Sequence, residues 1–129
     1  MLAGDAAGLI DPLTGEGIYA AIYSGRAAAR SAARLVAGEV ADLSGYEREL
    51  GGELLPELAV GRYLHGLFHV FPRFFFNMAK RGERSWRLVS DLLLGERSYL
   101  HVKRRLGRLW PIAKAVGTLV LLRPGFRKA

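Results

Sequence analysis

The chain contains no cysteine, and this absence removes several kinds of chemistry at once. A disulfide framework, a thiolate nucleophile and a Cys-ligated metal site are all excluded within these 129 residues. Long apolar runs are also missing. The best candidate for a membrane span, residues 106–122, is interrupted by Arg108, Pro111 and Lys114 and falls short of the ~20 apolar residues that a spanning helix needs. The opening MLAGDAAG has no basic segment followed by an apolar core, so no signal peptide is expected.

Acidic residues are scarce in the second half of the chain. Residues 1–61 contain 4 Lys and Arg against 9 Asp and Glu, a net charge of −5, whereas residues 62–129 contain 15 against 3, a net charge of +12. Such asymmetry favours an anionic partner for the second half, and a nucleic acid, an acidic membrane surface and a phosphorylated substrate all fit it. A basic face that is only solvated is the simpler interpretation of the charge alone.

The hydrophobic pattern predicts a mostly helical chain, because no segment shows the alternation typical of a strand. A first helix is expected over about residues 15–37, with Gly38 ending it. The residues predicted to form its apolar face share a helical spacing: Ile18, Ile22, Gly25, Ala29, Ala32 and Val36.

Proline and glycine divide the remainder of the chain. A second helical stretch over residues 46–71 is expected to bend or break at Pro56 and at the glycine pair before it. Two shorter helices follow, separated near Gly82. A last helix is predicted over residues 98–122, with Pro111 as the candidate kink.

The segment GDAAGLIDPLTGEG concentrates glycines and carboxylates immediately before the first helix. A helix N-terminus carries unpaired N–H groups and partial positive charge, and Gly15 and Gly17 leave room for a planar or anionic ligand to reach it. Asp5 can accept hydrogen bonds from ligand hydroxyls. Alternatively, the segment is a capped helix start in which Asp5 or Thr14 is the cap. Composition and spacing leave both interpretations open.

Residues 4–29, GDAAGLIDPLTGEGIYAAIYSGRAAA, resemble a known flavin motif. The motif is the C-terminal one of FAD-dependent oxidoreductases of the p-hydroxybenzoate-hydroxylase type. More narrowly, the stretch is similar to the geranylgeranyl reductase family, whose pattern is GDAAG, a short spacer, P-x-T-G-E-G-I and an Ala-rich helix containing S-G. The resemblance implies FAD as cofactor, with NADPH or another reductant as electron donor.

The resemblance also implies roles for individual residues. Asp5 would hydrogen-bond the ribityl chain of FAD, and Pro12 would face the isoalloxazine ring. Gly17 and Ile18 would present backbone N–H groups to the pyrimidine edge of the flavin. No catalytic residue follows from the motif. The implied cofactor-binding residues are Gly4, Asp5, Pro12, Gly15, Gly17 and Ile18.

Enzymes of this type are expected to need a Rossmann-like half with a G-x-G-x-x-G motif, which this sequence lacks. The resemblance therefore implies the C-terminal helical part of an α/β FAD-binding oxidoreductase whose N-terminal half is absent, and weak FAD binding by the chain alone. Residues 1–38 would form the FAD motif loop and helix. Residues 39–129 would form a helical region that faces substrate or membrane.

The leading functional expectation is the reduction of isoprenoid (geranylgeranyl) double bonds, with FHVFPRFFF (residues 68–76) shielding an apolar substrate. The alternatives are an FAD-dependent monooxygenase or halogenase and a standalone basic helical module that binds membranes or nucleic acid. Under the leading interpretation no nucleic-acid partner is expected, and the location is cytoplasmic, with peripheral membrane contact. His65 and His69 are expected to be a packed pair, and no metal site is predicted.

Overall fold

The computed structural model of the protein describes residues 1–94 and 98–122, the side chains of Leu88 and Leu93 excepted. Those residues are mostly helical and include no strand, which confirms the mostly-α prediction. Short 3-10 helices cover Gly4–Ala7 and Gly107–Leu109. The α-helices are α1 (Ile18–Val36), α2 (Ser44–Gly52), α3 (Leu54–Val70), α4 (Pro72–Lys80), α5 (Glu83–Leu93), α6 (Tyr99–Leu106) and α7 (Trp110–Leu121).

By its internal contacts the chain divides into two compact units, Met1–Leu58 and Ala59–Ala129, and the boundary falls inside α3. The change in charge along the sequence coincides with this boundary, since residues 59–61 carry no charge. The first unit is therefore acidic and the second strongly basic. The division at residue 38 follows the extent of the flavin motif and remains a prediction about function.

The predicted apolar face of α1 is wrong. Ile18 and Val36 are 75% and 89% exposed, and Ile22 is also exposed. The buried face carries only small residues, at positions Ala20, Ser24, Ala27 and Ser31. Small side chains let the helix backbone approach its neighbours closely, and this close approach decides which face is covered.

The end of α1 follows a local rule. Gly38, with φ +73°, ends α1: its N–H donates to the Leu35 carbonyl at 3.0 Å, and the Glu39 N–H donates to the Arg34 carbonyl at 2.9 Å. This is the Schellman arrangement, and it confirms the predicted end of α1.

The core of the first unit is formed by Leu9, Ala20, Ala27, Tyr46, Leu50, Leu54 and Leu58.

In the second unit α3 and α7 touch backbone to backbone. A Cβ added to Gly117 would lie 2.9 Å from the Tyr63 carbonyl oxygen, and one added to Gly66 would lie 3.1 Å from the Gly117 carbonyl oxygen. Trp110 packs edge-on against Tyr63, with ring centroids 5.9 Å apart. The glycines are therefore required by the close approach of the two helices.

Glycine rather than proline interrupts the last helical stretch. The break falls at Gly107, with φ +46°, and Pro111 lies in the first turn of α7, where its missing N–H costs nothing. The kink expected at Pro111 is therefore wrong. Gly82 separates α4 from α5, as predicted. No helix among the described residues is long and apolar enough to cross a membrane.

Candidate functional site

A buried hydroxyl attaches the Gly4–Ala7 turn to α1. The Gly4 N–H donates to Ser24 Oγ at 2.8 Å, and the Ser24 hydroxyl donates to the Ala20 carbonyl at 2.6 Å. Gly4 has φ +57°, and a Cβ there would lie 3.0 Å from the Cβ of Ala21. Only glycine adopts this φ without strain and also leaves room for Ala21. Gly4 therefore lets the turn lie against the first residues of α1.

Asp11 organises the loop between this turn and α1. Its carboxylate accepts the N–H groups of Leu13 at 2.8 Å and Thr14 at 3.0 Å. Its own N–H donates to the Glu16 carbonyl at 2.8 Å, and its carbonyl accepts the Gly15 N–H at 2.9 Å. Sequence reasoning gave Asp11 no role, although an Asp-Pro pair is a known signal for a turn.

Among residues 1–94 and 98–122, no side chain caps the N-terminus of α1. The helix begins at Ile18 after Gly17, and neither Asp5 nor Thr14 donates or accepts a capping hydrogen bond there. The capped-helix interpretation of the opening loop is therefore wrong. The Thr14 hydroxyl instead accepts the Glu16 N–H at 3.2 Å. The first N–H groups of α1 have no acceptor within the helix, as at every helix start.

An open cavity of about 470 Å³ lies at this uncapped helix start. Its walls come from the Gly4–Ala7 turn and from the first turn of α1, two segments that lie a dozen residues apart in sequence. Four of the six residues named from the flavin motif meet here. The lining residues are Ala3, Gly4, Asp5, Gly17, Ile18 and Ala21.

Asp5 lies directly over Gly17. A Cβ at Gly17 would overlap the Asp5 carboxylate, whose Cγ would be 3.1 Å away. Glycine at position 17 therefore lets the carboxylate approach the helix start. A negative charge there is favoured by the partial positive charge of the N-terminus.

Pro12 and Gly15 lie outside the cavity lining. Pro12 is half-buried in the Asp11 loop, and Gly15 is exposed with φ +76°. A positive φ is strained for residues with a side chain, so Gly15 serves the loop conformation. The structure thus brings together Gly4, Asp5, Gly17 and Ile18, and does not bring Pro12 or Gly15 to the same cavity.

The cavity offers one charged acceptor, the Asp5 carboxylate, and a set of donors, the first backbone N–H groups of α1. Asp5 is exposed and is the only charged side chain in the lining. Hydroxyl groups of a ligand can donate to this carboxylate. A ligand carbonyl or anionic edge can accept from the helix N–H groups. A ligand that carries hydroxyl donors beside a carbonyl or anionic acceptor would match this polarity.

A second cavity of about 440 Å³ lies between α1 and α2. The Tyr23 hydroxyl donates to Glu53 at 3.0 Å, and Arg30 is paired with Glu49. Partial burial, and then the hydrogen bond and negative charge of Glu53, raise the pKa of Tyr23 above its ordinary value. These contacts hold α1 to α2, and the walls are Tyr19, Ile22, Tyr23, Arg26, Arg30, Glu49 and Glu53.

The other sequence candidates lie elsewhere. The rings of His65 and His69 are stacked with centroids 6.5 Å apart. No group of three His, Asp or Glu side chains in residues 1–94 and 98–122 is placed to hold a metal ion. Phe68 and Phe75 stack at 3.9 Å, and neither of the two cavities is lined by residues 68–76.

Comparison with known proteins finds no matching family model, no matching curated protein and no matching solved structure. A functional assignment therefore depends on the motif residues and on the cavity that four of them form.

Proposed function

We propose that this chain is the flavin-facing C-terminal part of an FAD-dependent oxidoreductase that reduces isoprenoid double bonds. One observation carries the proposal. Gly4, Asp5, Gly17 and Ile18, named from the sequence motif alone, line a single cavity at an uncapped helix start. The substrate class comes from the resemblance to geranylgeranyl reductases.

The residues at the cavity fit the ribityl and pyrimidine part of FAD. The Asp5 carboxylate offers acceptors for ribityl hydroxyls, and the first N–H groups of α1 offer donors for the pyrimidine edge. Gly17 keeps the helix start free of a side chain that would displace Asp5. Nothing in the sequence fits the diphosphate, since a G-x-G-x-x-G motif is missing.

When bound, FAD supplies hydride-transfer chemistry, with NADPH or another reductant as the source of electrons. The contribution of this chain is binding and electrostatics. Asp5 orients the ribityl chain. The α1 N-terminus stabilises negative charge at the ring edge that faces it. Ser24 holds the turn that carries Asp5 in place through the Gly4 N–H.

The test is flavin retention by the longest product that the reading frame through Met1 encodes. The DNA upstream of that codon is read for a strand followed by G-x-G-x-x-G within about 250–300 residues, an ordinary length for such a half. The purified protein is expected to be yellow. Asp5→Asn should weaken flavin binding about tenfold or more, because a ribityl hydroxyl would then donate to a neutral amide oxygen instead of a charged carboxylate.

Glu16→Gln is the matched control, because Glu16 is an exposed acid of the same loop outside the cavity lining. Its flavin content should equal that of the wild type. A colourless wild-type protein that takes up no added FAD contradicts the proposal, as does wild-type flavin content in Asp5→Asn.

The reaction type is tested separately on the flavin-loaded protein. Double-bond reduction proceeds anaerobically, whereas a monooxygenase of the same superfamily consumes oxygen and hydroxylates its substrate. Anaerobic saturation of an isoprenoid chain supports the proposal. Oxygen-dependent hydroxylation with no anaerobic turnover assigns the alternative.

A further inference from the structure

Helices α4 and α5 expose large aromatic side chains. Phe74, Phe76 and Trp86 are 59%, 60% and 60% exposed, and Phe71, just before α4, is exposed as well. No residue of α4 is buried. Exposed aromatic residues on two adjoining helices are typical of a surface that binds a partner.

The inner side of α4 is already used for packing. Phe75 stacks on Phe68 of α3 with ring centroids 3.9 Å apart, and Met78 is half-buried. Phe74 and Phe76 flank Phe75 in the sequence and therefore project to either side of this contact. Their exposure is a consequence of the helix register rather than of a missing core.

Cations accompany these aromatic residues. The Lys80 ammonium lies 4.1 Å from the centre of the Phe76 ring. Residues 71–94 carry five basic side chains against two acidic ones, Glu83 and Asp91. Glu83 forms an exposed i,i+4 pair with Arg87 at 3.5 Å, and such a pair contributes little. The basic side chains are Arg73, Lys80, Arg81, Arg84 and Arg87.

We propose that α4 and α5 form a docking surface for an anionic lipid bilayer, and we call this surface the α4–α5 face. At about 14 and 17 Å, the two helices are far shorter than a ~30 Å hydrocarbon core. They would lie in the plane of the interface. Phe74, Phe76 and Trp86 enter the acyl boundary, while the basic side chains bind lipid phosphates.

The apolar content of the α4–α5 face favours a bilayer over a nucleic acid. Leu94, at the end of α5, is 72% exposed, and Val70, before α4, is also exposed. Aliphatic side chains suit acyl chains and offer no stacking surface for bases. By contrast, α6 carries Lys103, Arg104 and Arg105 in a row without an exposed aromatic residue of its own.

The test measures binding of the full chain to phosphatidylcholine vesicles with and without phosphatidylglycerol at about one lipid in three. Cosedimentation is expected with the anionic vesicles and only weakly with the neutral ones. Trp86 should move from water into the interface, so tryptophan emission should shift to the blue. Trp86→Phe should abolish the shift. Because Trp86 is exposed, this variant is expected to fold.

Two triple variants, each of which removes three positive charges, locate the docking surface. The triple variant Lys80→Gln, Arg81→Gln, Arg84→Gln should weaken anionic-vesicle binding about 100-fold, since each cation near the surface contributes about fivefold. The matched control Lys103→Gln, Arg104→Gln, Arg105→Gln removes the same charge from α6 and should retain most of the binding. Circular dichroism checks the helicity of both.

Three results would overturn the proposal. Equal losses in both triple variants, with no blue shift, would show diffuse attraction by net charge. Salt-sensitive binding to single-stranded DNA or RNA, with none to vesicles, would assign the face to nucleic acid. A dimer in solution that Phe74→Ser dissociates would assign it to a second copy of this chain. None of these results bears on flavin retention, so this proposal and the proposed function fail separately.

Discussion

Ser24 shows how a single side chain can hold a site together. It is fully buried on α1, where its hydroxyl accepts the Gly4 N–H and donates to the Ala20 carbonyl. Both polar groups are thereby satisfied without water. Because Gly4 and Asp5 belong to one turn, this contact also positions the cavity carboxylate. The sequence motif includes Ser24, but its spacing alone assigns no partner to the hydroxyl.

Ser24→Ala is expected to lower the free energy of unfolding by about 1–3 kcal/mol, because the buried Gly4 N–H loses its acceptor. The measurement is urea unfolding followed by circular dichroism. Ser31→Ala is the control: Ser31 is buried on the same helix face, and its hydroxyl bonds no other segment in the described part of the chain. Equal losses in both variants would mean that the Gly4 contact adds nothing.

Gly17 and Asp11 have different structural roles in the loop before α1. Gly17 leaves space for the Asp5 carboxylate, whereas Asp11 accepts two backbone N–H groups and shapes the loop that leads to α1. The motif names Gly17 for a flavin contact, which stays a prediction, and gives no role to Asp11. Both are local features, but the meeting of Asp5 with Gly17 depends on how the turn packs on the helix.

At the scale of helices, small residues determine which surfaces meet. On α1 the Ala and Ser positions are covered, and the larger Ile18, Ile22 and Val36 remain exposed. An apolar pattern at helical spacing is normally taken as the buried face. Here close backbone approach dominates, and the same principle operates where α3 meets α7 at Gly66 and Gly117.

Gly117→Ala is expected to destabilise the protein by about 1–3 kcal/mol, because the new methyl group would lie 2.9 Å from the Tyr63 carbonyl oxygen and α7 must move. Gly25→Ala is the control. No atom of the described residues lies within 4 Å of a Cβ there, so this helical substitution should stabilise by about 0.5–1 kcal/mol. Denaturant unfolding of the two variants compares them. A neutral Gly117→Ala would argue against the close approach.

At the scale of the whole molecule, the two units differ both in net charge and in the function proposed for each. The unit Met1–Leu58 contains the cavity and is acidic, and the unit Ala59–Ala129 contains the α4–α5 face and is basic. The residues that line the cavity and those of the α4–α5 face therefore belong to different units of opposite charge. Ligand recognition and surface attachment are assigned to different residues and can be tested independently.

The chain should not distinguish riboflavin from FAD at physiological salt. Under the proposed function its cavity contacts the ribityl and ring parts, and its sequence lacks the glycine motif that would bind the diphosphate. Kd values from quenching of flavin fluorescence are expected to agree within about threefold. The control repeats both Kd measurements at several salt concentrations, because of the two ligands only FAD is anionic. A much tighter Kd for FAD at high salt would show that the chain recognises the adenine diphosphate half.

Features that depend on a few neighbouring residues could be predicted from the sequence. Helical periodicity and punctuation predicted the mostly-α fold, the end of α1 at Gly38 and the separation of α4 from α5 at Gly82. A glycine with positive φ acts within its own turn, so its effect is visible without a partner. The charge asymmetry likewise follows from composition alone.

Tertiary structure decided what depends on contact between distant segments. The buried face of α1 is set by what packs on it, and its small residues allow an approach that hydrophobicity does not predict. Packing of the Gly4–Ala7 turn against α1 likewise places Gly4, Asp5, Gly17 and Ile18 around one cavity and leaves Pro12 and Gly15 outside its lining.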